Sequence, residues 1–345
     1  MLLFMDGFDH YVTADITVKW TAINGGSVSI GAFGRRSSNG LRCNGGDQWA
    51  AKSPLSPAPS GNLVVFGVGM LLNDSFAGLT FQGNPVGQQI GVRLSGSHQW
   101  YLAVKTTGAI ELRRGDGTLL GTTSLGLTQS VYHYIEGEIV TATSGATAKL
   151  WIDGVQALDL TGLNTANSGS NGWDTFRLAS GQSMDTRFDD VYLCDGSGSL
   201  NITRRGDCRV DALYPTGAGA NTGFTPLSGS NYQMVDETAP DADTTYNLAA
   251  TAALKDTFPV TDAAAPGADI YGVQLLASAR KLDASAAGHT PVIRIGSTDY
   301  DGTEQGLAQT YDYIRQMYEQ TPEGSPQDWT SDIVNAAEFG YKKST

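Results

Sequence analysis

Residues 131–160 read VYHYIEGEIVTATSGATAKLWIDGVQALDL, and the fold follows from their spacing. Val131, His133, Ile135, Gly137 and Ile139 fall on one face of the first ten residues. Tyr132, Tyr134, Glu136 and Glu138 fall on the other, as in a strand with one wet side. Asp153-Gly154 then separates two apolar runs, Leu150–Ile152 and Val155 onward, a strong short-range hairpin signal. Working outward, short apolar runs recur at 28–33, 63–72, 90–94 and 100–105, punctuated by Gly, Ser and Asn, and RFDDVYLCD at 187–195 alternates again. None has helical spacing. Strand after strand joined by tight turns predicts an all-β chain built on an antiparallel sandwich.

Composition agrees. The chain has 345 residues, 43 of them glycine; that is about 12 per cent against a usual ~7 per cent, so many residues serve turns. Length does not limit the core, since a chain of this size buries roughly three quarters of its unfolded surface. The net charge is −13, and no stretch gathers basic residues into a phosphate-neutralising stripe, so nucleic acid is not an expected partner. The longest apolar run, residues 63–72, is ten residues long, half of what a spanning helix needs, so no membrane insertion is expected. The opening MLLFMDGFDHY lacks a basic flank and a small-residue cleavage site, which predicts a protein kept in the cytoplasm of its producer. Cys43, Cys194 and Cys208 form no CxxC pair and read as reduced packing residues.

The apolar period lapses in GSGSLNITRRG, residues 196–206, which predicts a boundary at 198/199. A sandwich would span 1–198, and a second β-rich domain with long polar loops, suited to assembly, would span 199–345. Residues 1–200 carry a net charge of −4 and 201–345 a net −9. The segment 214–246 has turn chemistry and little period, as expected of a cover for a partner or neighbouring domain. Strands return at 270–280 and 290–295. The stretch 307–319 suits a strand or a short helix equally. WTSD at 329–332, followed by IVNAAEFG, predicts a hydroxyl-capped helical turn stopped by Gly340.

No GxSxG elbow, P-loop, HExxH or strand-following GxGxxG is present; GAGANTG at 217–223 has the wrong last spacing. The chain is therefore expected not to be an enzyme, with no catalytic and no cofactor-binding residues. Glu136 and Glu138 could form a glycosidase-like carboxylate pair; the preferred reading is the solvent face of an edge-exposed strand. Asp6, Asp9, Asp189 and Asp190 could converge on calcium if the first and last strands pair. The preferred reading there is a turn at Asp6-Gly7 with strand acids pointing to water, and no metal site is assigned. Asp241 and Asp243, and Asp299 and Asp301, resemble incomplete calcium loops. His10, His98, His133 and His289 are scattered, and a hydrogen-bonded core imidazole is the ordinary outcome at His133. Trp49, Trp100, Trp173 and Tyr101 could stack on sugars, but are expected to be core or interface anchors.

VYHYIEGEIV, AKLWIDGVQALDL and RFDDVYLCD, with FMDGFDHY as a first strand, resemble the strands of concanavalin A-like, laminin-G-like jelly rolls over residues 1–195. The segment from Gly206 to Asn247 and the terminal WTSDIVNAAEFGYK resemble a segment that follows such domains in virion proteins of tailed bacteriophages. The resemblance implies a tail-associated virion structural protein, assembled in the host cytoplasm and packing as a homo-oligomer against other virion proteins. It carries over no catalytic residue; among metal ligands only Asp6, Asp9 and Asp189 sit where one could be placed, so no cofactor is expected beyond a structural calcium. The alternative is a lectin-like module that recognises host surface glycan.

Overall fold

The hairpin forms as its residues dictate. Asp153 and Gly154 both take positive φ, 50° and 79°, the backbone that a two-residue turn between right-twisted strands requires. Around it the computed structural model describes all residues except 54, 56, 75–87, 182–183 and 264–265. The described chain divides into two units, Met1–Val210 and Asp211–Thr345.

In the first unit two antiparallel sheets share a core. One has the strand order Val155–Leu163, Ala146–Ile152, His133–Val140, Leu63–Leu72, Asp185–Cys194, Gly40–Asn44, Val28–Gly31, with Leu2–Asp6 also paired to Asp185–Cys194. The other runs Leu119–Gly126, Ala109–Arg114, Ser97–Val104, Ile90–Leu94, Thr175–Ala179, Trp49–Lys52, Ala22–Asn24. Phe66 of the eight-stranded sheet packs against Trp100 and Phe176 of the seven-stranded sheet, with ring centroids 6.2 and 6.1 Å apart. Each such fully buried side chain contributes ~2 to 3 kcal/mol. The all-β sandwich expected from the sequence is thus the fold observed.

The apolar run 63–72 holds Gly67 and Gly69 for steric reasons. A Cβ at Gly67 would collide with the Tyr192 ring, and one at Gly69 with the Arg35 side chain. Both rest on the outer face of the eight-stranded sheet, beside Tyr134 and Glu136.

The expected boundary at 198/199 needs correction. Residues 199–210 belong to the first unit because they form a strap across that outer face. Arg204 donates its backbone N–H to Glu138 at 2.8 Å, and Gly206 donates its N–H to Glu136 at 2.7 Å. Val210 donates its N–H to Asp190 at 2.9 Å.

The second unit centres on a five-stranded sheet of Lys255–Phe258, Glu338–Lys343, Gly288–Ile295 and Thr298–Asp301, with Gln305–Gly306 paired to Gly288–Ile295. Part of the loop-rich segment is spent within this unit. Gly219 donates to Thr257 and Gly223 to Lys255, backbone to backbone, so GAGANTG lines a strand edge. The stretch 307–319 resolves as a strand, Asp312–Tyr318, paired with Val273–Ala279. A helix forms at Ser331–Ala336, capped by the Thr330 hydroxyl, which accepts from Ile333. Gly340 does not stop it. The helix ends at Ala337, and Gly340 lies within the strand Glu338–Lys343, where the Asp256 carbonyl leaves no room for a Cβ.

Candidate functional site

Alternation along the seven-stranded sheet separates an apolar inner face from a polar outer one. On Thr175–Ala179, Phe176 and Leu178 enter the core and Arg177 points the other way. On Ile90–Leu94, Arg93 and Gly91 share the Arg177 side, and Trp49 shares it on the next strand. His98 reaches the same face through an irregularity. The register slips between the pairs Val92–Trp100 and Arg93–His98, so a bulge turns His98 to the side of Tyr101, with ring centroids 6.2 Å apart.

These side chains form one network. The guanidiniums of Arg177 and Arg93 lie 5.0 and 5.5 Å from the Trp49 ring centroid, within cation–π range. Arg93 donates Nε–H to His98 Nε2 at 3.0 Å, and its Nη2 lies 2.7 Å from the same atom. Arg177 Nη1 donates to Gln88 at 3.0 Å, and its Nη2 donates to Asp47 Oδ1 at 2.8 Å. Because Nε2 accepts, the tautomer assigned to His98 carries its proton on Nδ1. Burial, then the charges of Arg93 and Arg177, hold that imidazole neutral by pulling its pKa down to about 3. Burial and the Arg93 charge pull Arg177 down to about 10. The arrangement presents planar donors beside an aromatic face on adjacent strands, whose geometry is more rigid than that of loops. Trp49, Arg93 and His98 are each half-buried.

The sequence singled out Trp49, His98 and Tyr101 separately and missed Arg93 and Arg177. Arginine next to valine or phenylalanine in an alternating strand is a detectable signal: it marks one face as polar. The other aromatics are core. Trp100 is fully buried and donates to Thr141 at 2.9 Å, and Trp173 is buried.

The carboxylate pair is corrected twice over. Glu136 and Glu138 do not lie on an edge strand, because His133–Val140 pairs with Leu63–Leu72 on one side and Ala146–Ile152 on the other. Nor does Glu136 face water. It is fully buried, accepting from Tyr192 at 3.0 Å, from Gly206 and from Arg204 Nη1 at 2.7 Å. A carboxylate so engaged and covered has no access to a glycosidic bond.

The first and last strands do pair, Asp6 facing Val191, yet the acids neither converge nor point to water. Asp6, Asp189 and Asp190 are buried. Asp6 accepts from Phe8 N–H, Tyr11 and Trp20. Asp189 accepts from Arg35 N–H and Ser38, and burial with the neighbouring Asp190 charge pushes its pKa up. Asp9 accepts from Asn39 N–H at 2.8 Å. In the second unit Asp299 and Asp301 pair with Lys255, Arg294 and Lys342. Asp241 accepts from Thr245, and Asp243 from Arg280 and Tyr311. Among the described residues no three His, Cys, Asp or Glu side chains form a metal-holding group.

His133 is hydrogen-bonded as expected, but at the strand start: Nδ1 meets Asp153 at 2.6 Å and Nε2 accepts from Thr128 N–H at 2.8 Å. Cys43 and Cys194 are buried and Cys208 is half-buried, all three unbridged.

No family model matches this chain, and no curated protein matches it. Among solved structures it is similar to the alginate lyase Aly36B, with a TM-score of 0.36 and 10% identity over 55% of this chain and 95% of that one. It is also similar to domain 4 of AbnA, a GH43 extracellular arabinanase from Geobacillus stearothermophilus seen with arabinotriose, with a TM-score of 0.39 and 13% identity over 56% and 91%. A Trypanosoma rangeli sialidase follows at a TM-score of 0.35 and 12% identity, over 50% of this chain and 29% of the sialidase. Identities this low say nothing of what this chain binds. What it is similar to is a set of β-sandwich domains from carbohydrate-active proteins.

Proposed function

We infer that the first unit is a saccharide-binding module whose ligand lies on the outer face of the seven-stranded sheet, against Trp49, Arg93, Arg177, His98 and Tyr101. One observation carries the reading: two guanidiniums converge on one indole and one neutral imidazole, all on adjacent strands. Sugars present C–H faces to an aromatic ring and hydroxyls to planar donors, and this face offers both. The opposite sheet supports the choice of face, because its outer side carries the strap of residues 199–210. A glycan array probed with the full chain tests the reading, with and without a chelator. The expected result is a specific signal that Trp49→Ala abolishes while thermal unfolding stays cooperative. A blank array, or a signal indifferent to Trp49→Ala, would reject it.

A structural role in a phage particle, as a homo-oligomer packed against other virion proteins, is the second reading. It is supported by the ribbon Val273–Ala279 with Asp312–Tyr318, where Leu275, Leu276 and Ala277 remain partly exposed. Light scattering of the full chain and mass spectrometry of purified particles test it; a monomer absent from particles would reject it.

A further inference from the structure

Among the described residues of the candidate face, the charge is out of balance at Arg93 and Arg177. Arg113 and Lys105 share Glu111, and Arg114 pairs with Asp116. Arg93 has no carboxylate within ion-pair distance among the described residues. Arg177 has Asp47 alone, whose side chain is 76% exposed. Two guanidiniums on one indole repel each other, and burial strengthens that repulsion, Arg177 being only 4% exposed beneath Asp47 and Arg93 half-buried. An anion between them offsets both costs.

The hydrogen bonds point to the shape of that anion. Arg177 spends Nη1 on Gln88 and His98. Its other edge, Nε with Nη2, is a fork of two N–H donors that can meet two oxygens of one oxyanion side by side. Asp47 meets that fork with a single bond, from Nη2, and Nε is buried with no partner among the described residues. Asp47 sits in a turn at positive φ, 53°, where the Asn24 amide holds its carbonyl at 2.8 Å. Half of a bidentate site is filled by an exposed side chain, and the other half is unfilled.

We propose, resting on the saccharide reading above, that the ligand is an acidic sugar whose carboxylate or sulfate ester seats on the Nε–Nη2 fork of Arg177 beside Arg93, in competition with Asp47. Neutral sugars then bind this face weakly, and Asp47 sets the affinity for acidic ones.

Affinity electrophoresis of the full chain through gels containing polygalacturonate, dextran sulfate or neutral dextran tests this. The expected result is retardation by polygalacturonate, by dextran sulfate or by both, the pattern telling carboxylate from sulfate ester, with none by dextran. Asp47→Asn should tighten acidic binding severalfold. Arg177→Lys keeps the charge but loses the fork, and should weaken it about tenfold, the worth of one charge-assisted hydrogen bond. Arg93→Gln, at a half-buried position, gives a second loss variant should Arg177→Lys fail to unfold cooperatively. Equal retardation by dextran and the acidic polymers would overturn the proposal and leave the saccharide reading standing. Unchanged or weaker binding by Asp47→Asn would overturn the competition. No retardation in any gel, together with a blank glycan array, would reject the saccharide reading itself.

Discussion

The Arg204 guanidinium donates to the buried Glu136 carboxylate at 2.7 Å while its carbon lies 4.8 Å from the Trp151 ring centroid. A segment without secondary structure is thereby fixed to the middle of a sheet. Removing one partner of a buried ion pair costs ~3 to 5 kcal/mol. Arg204 keeps 31% of its side chain exposed, so the solvent-screened cost of Arg204→Ala is about 2 kcal/mol. Urea unfolding checks this; a loss under half a kilocalorie would show that the strap is held by its backbone bonds alone.

The strap also sets where the chain divides. A fragment 1–210 should unfold in one cooperative transition, whereas 1–198 should bind a hydrophobic dye and melt several degrees lower, since Tyr134, Glu136 and Tyr192 lose their cover. Equal melting of the two fragments would count against the corrected boundary.

At Gly67 a methyl group would meet the Tyr192 ring and the Tyr134 hydroxyl. Gly67→Ala should cost about 1 to 3 kcal/mol by overpacking. Gly306→Ala, where nothing lies within 4 Å, should change stability little. Denaturant midpoints of the two variants, measured side by side, decide the matter.

Histidines buried in the neutral form cost stability in mild acid, an effect that the raised pKa of Asp189 opposes in the first unit and that is therefore read in the second. Burial and Lys19 pull His10 down to about 3, and burial pulls His289 down to about 4. A pKa depressed on folding gives stability that is complete above the unfolded value, ~6.5, and is lost as pH falls towards the folded one. Each histidine then costs up to ~1.4 kcal/mol per pH unit below 6.5. The urea midpoint of the second unit should be lower at pH 5 than at pH 7.5, and His289→Gln should flatten the fall. A slope unchanged by that substitution would assign the acid sensitivity elsewhere.

Much of the sandwich was legible because strand alternation is local: residues 131–140 and the Asp153-Gly154 turn declare themselves within their own windows. The rest depended on distant partners. The strap has no period, and Arg204 finds Glu136 sixty-eight residues back along the chain, so Glu136 read as solvent-facing. The candidate site was legible only in pieces. Strict alternation places His98 with Trp100 in the core; the bulge that moves it to Arg93 is a property of strand pairing. Gly340 looked like a helix stop, whereas its smallness serves the approach of the Asp256 carbonyl.

The pairing of Leu2–Asp6 with Asp185–Cys194 has a kinetic consequence. That late strand also bonds Leu63–Leu72 and Gly40–Asn44, so three earlier segments wait on the ribosome for one partner. At ~5 to 20 residues per second, the delay between translation of Leu2 and of Cys194 is about 10 to 40 seconds, during which a central gap in the nascent sheet stays open to chaperones and to neighbouring polysomal chains.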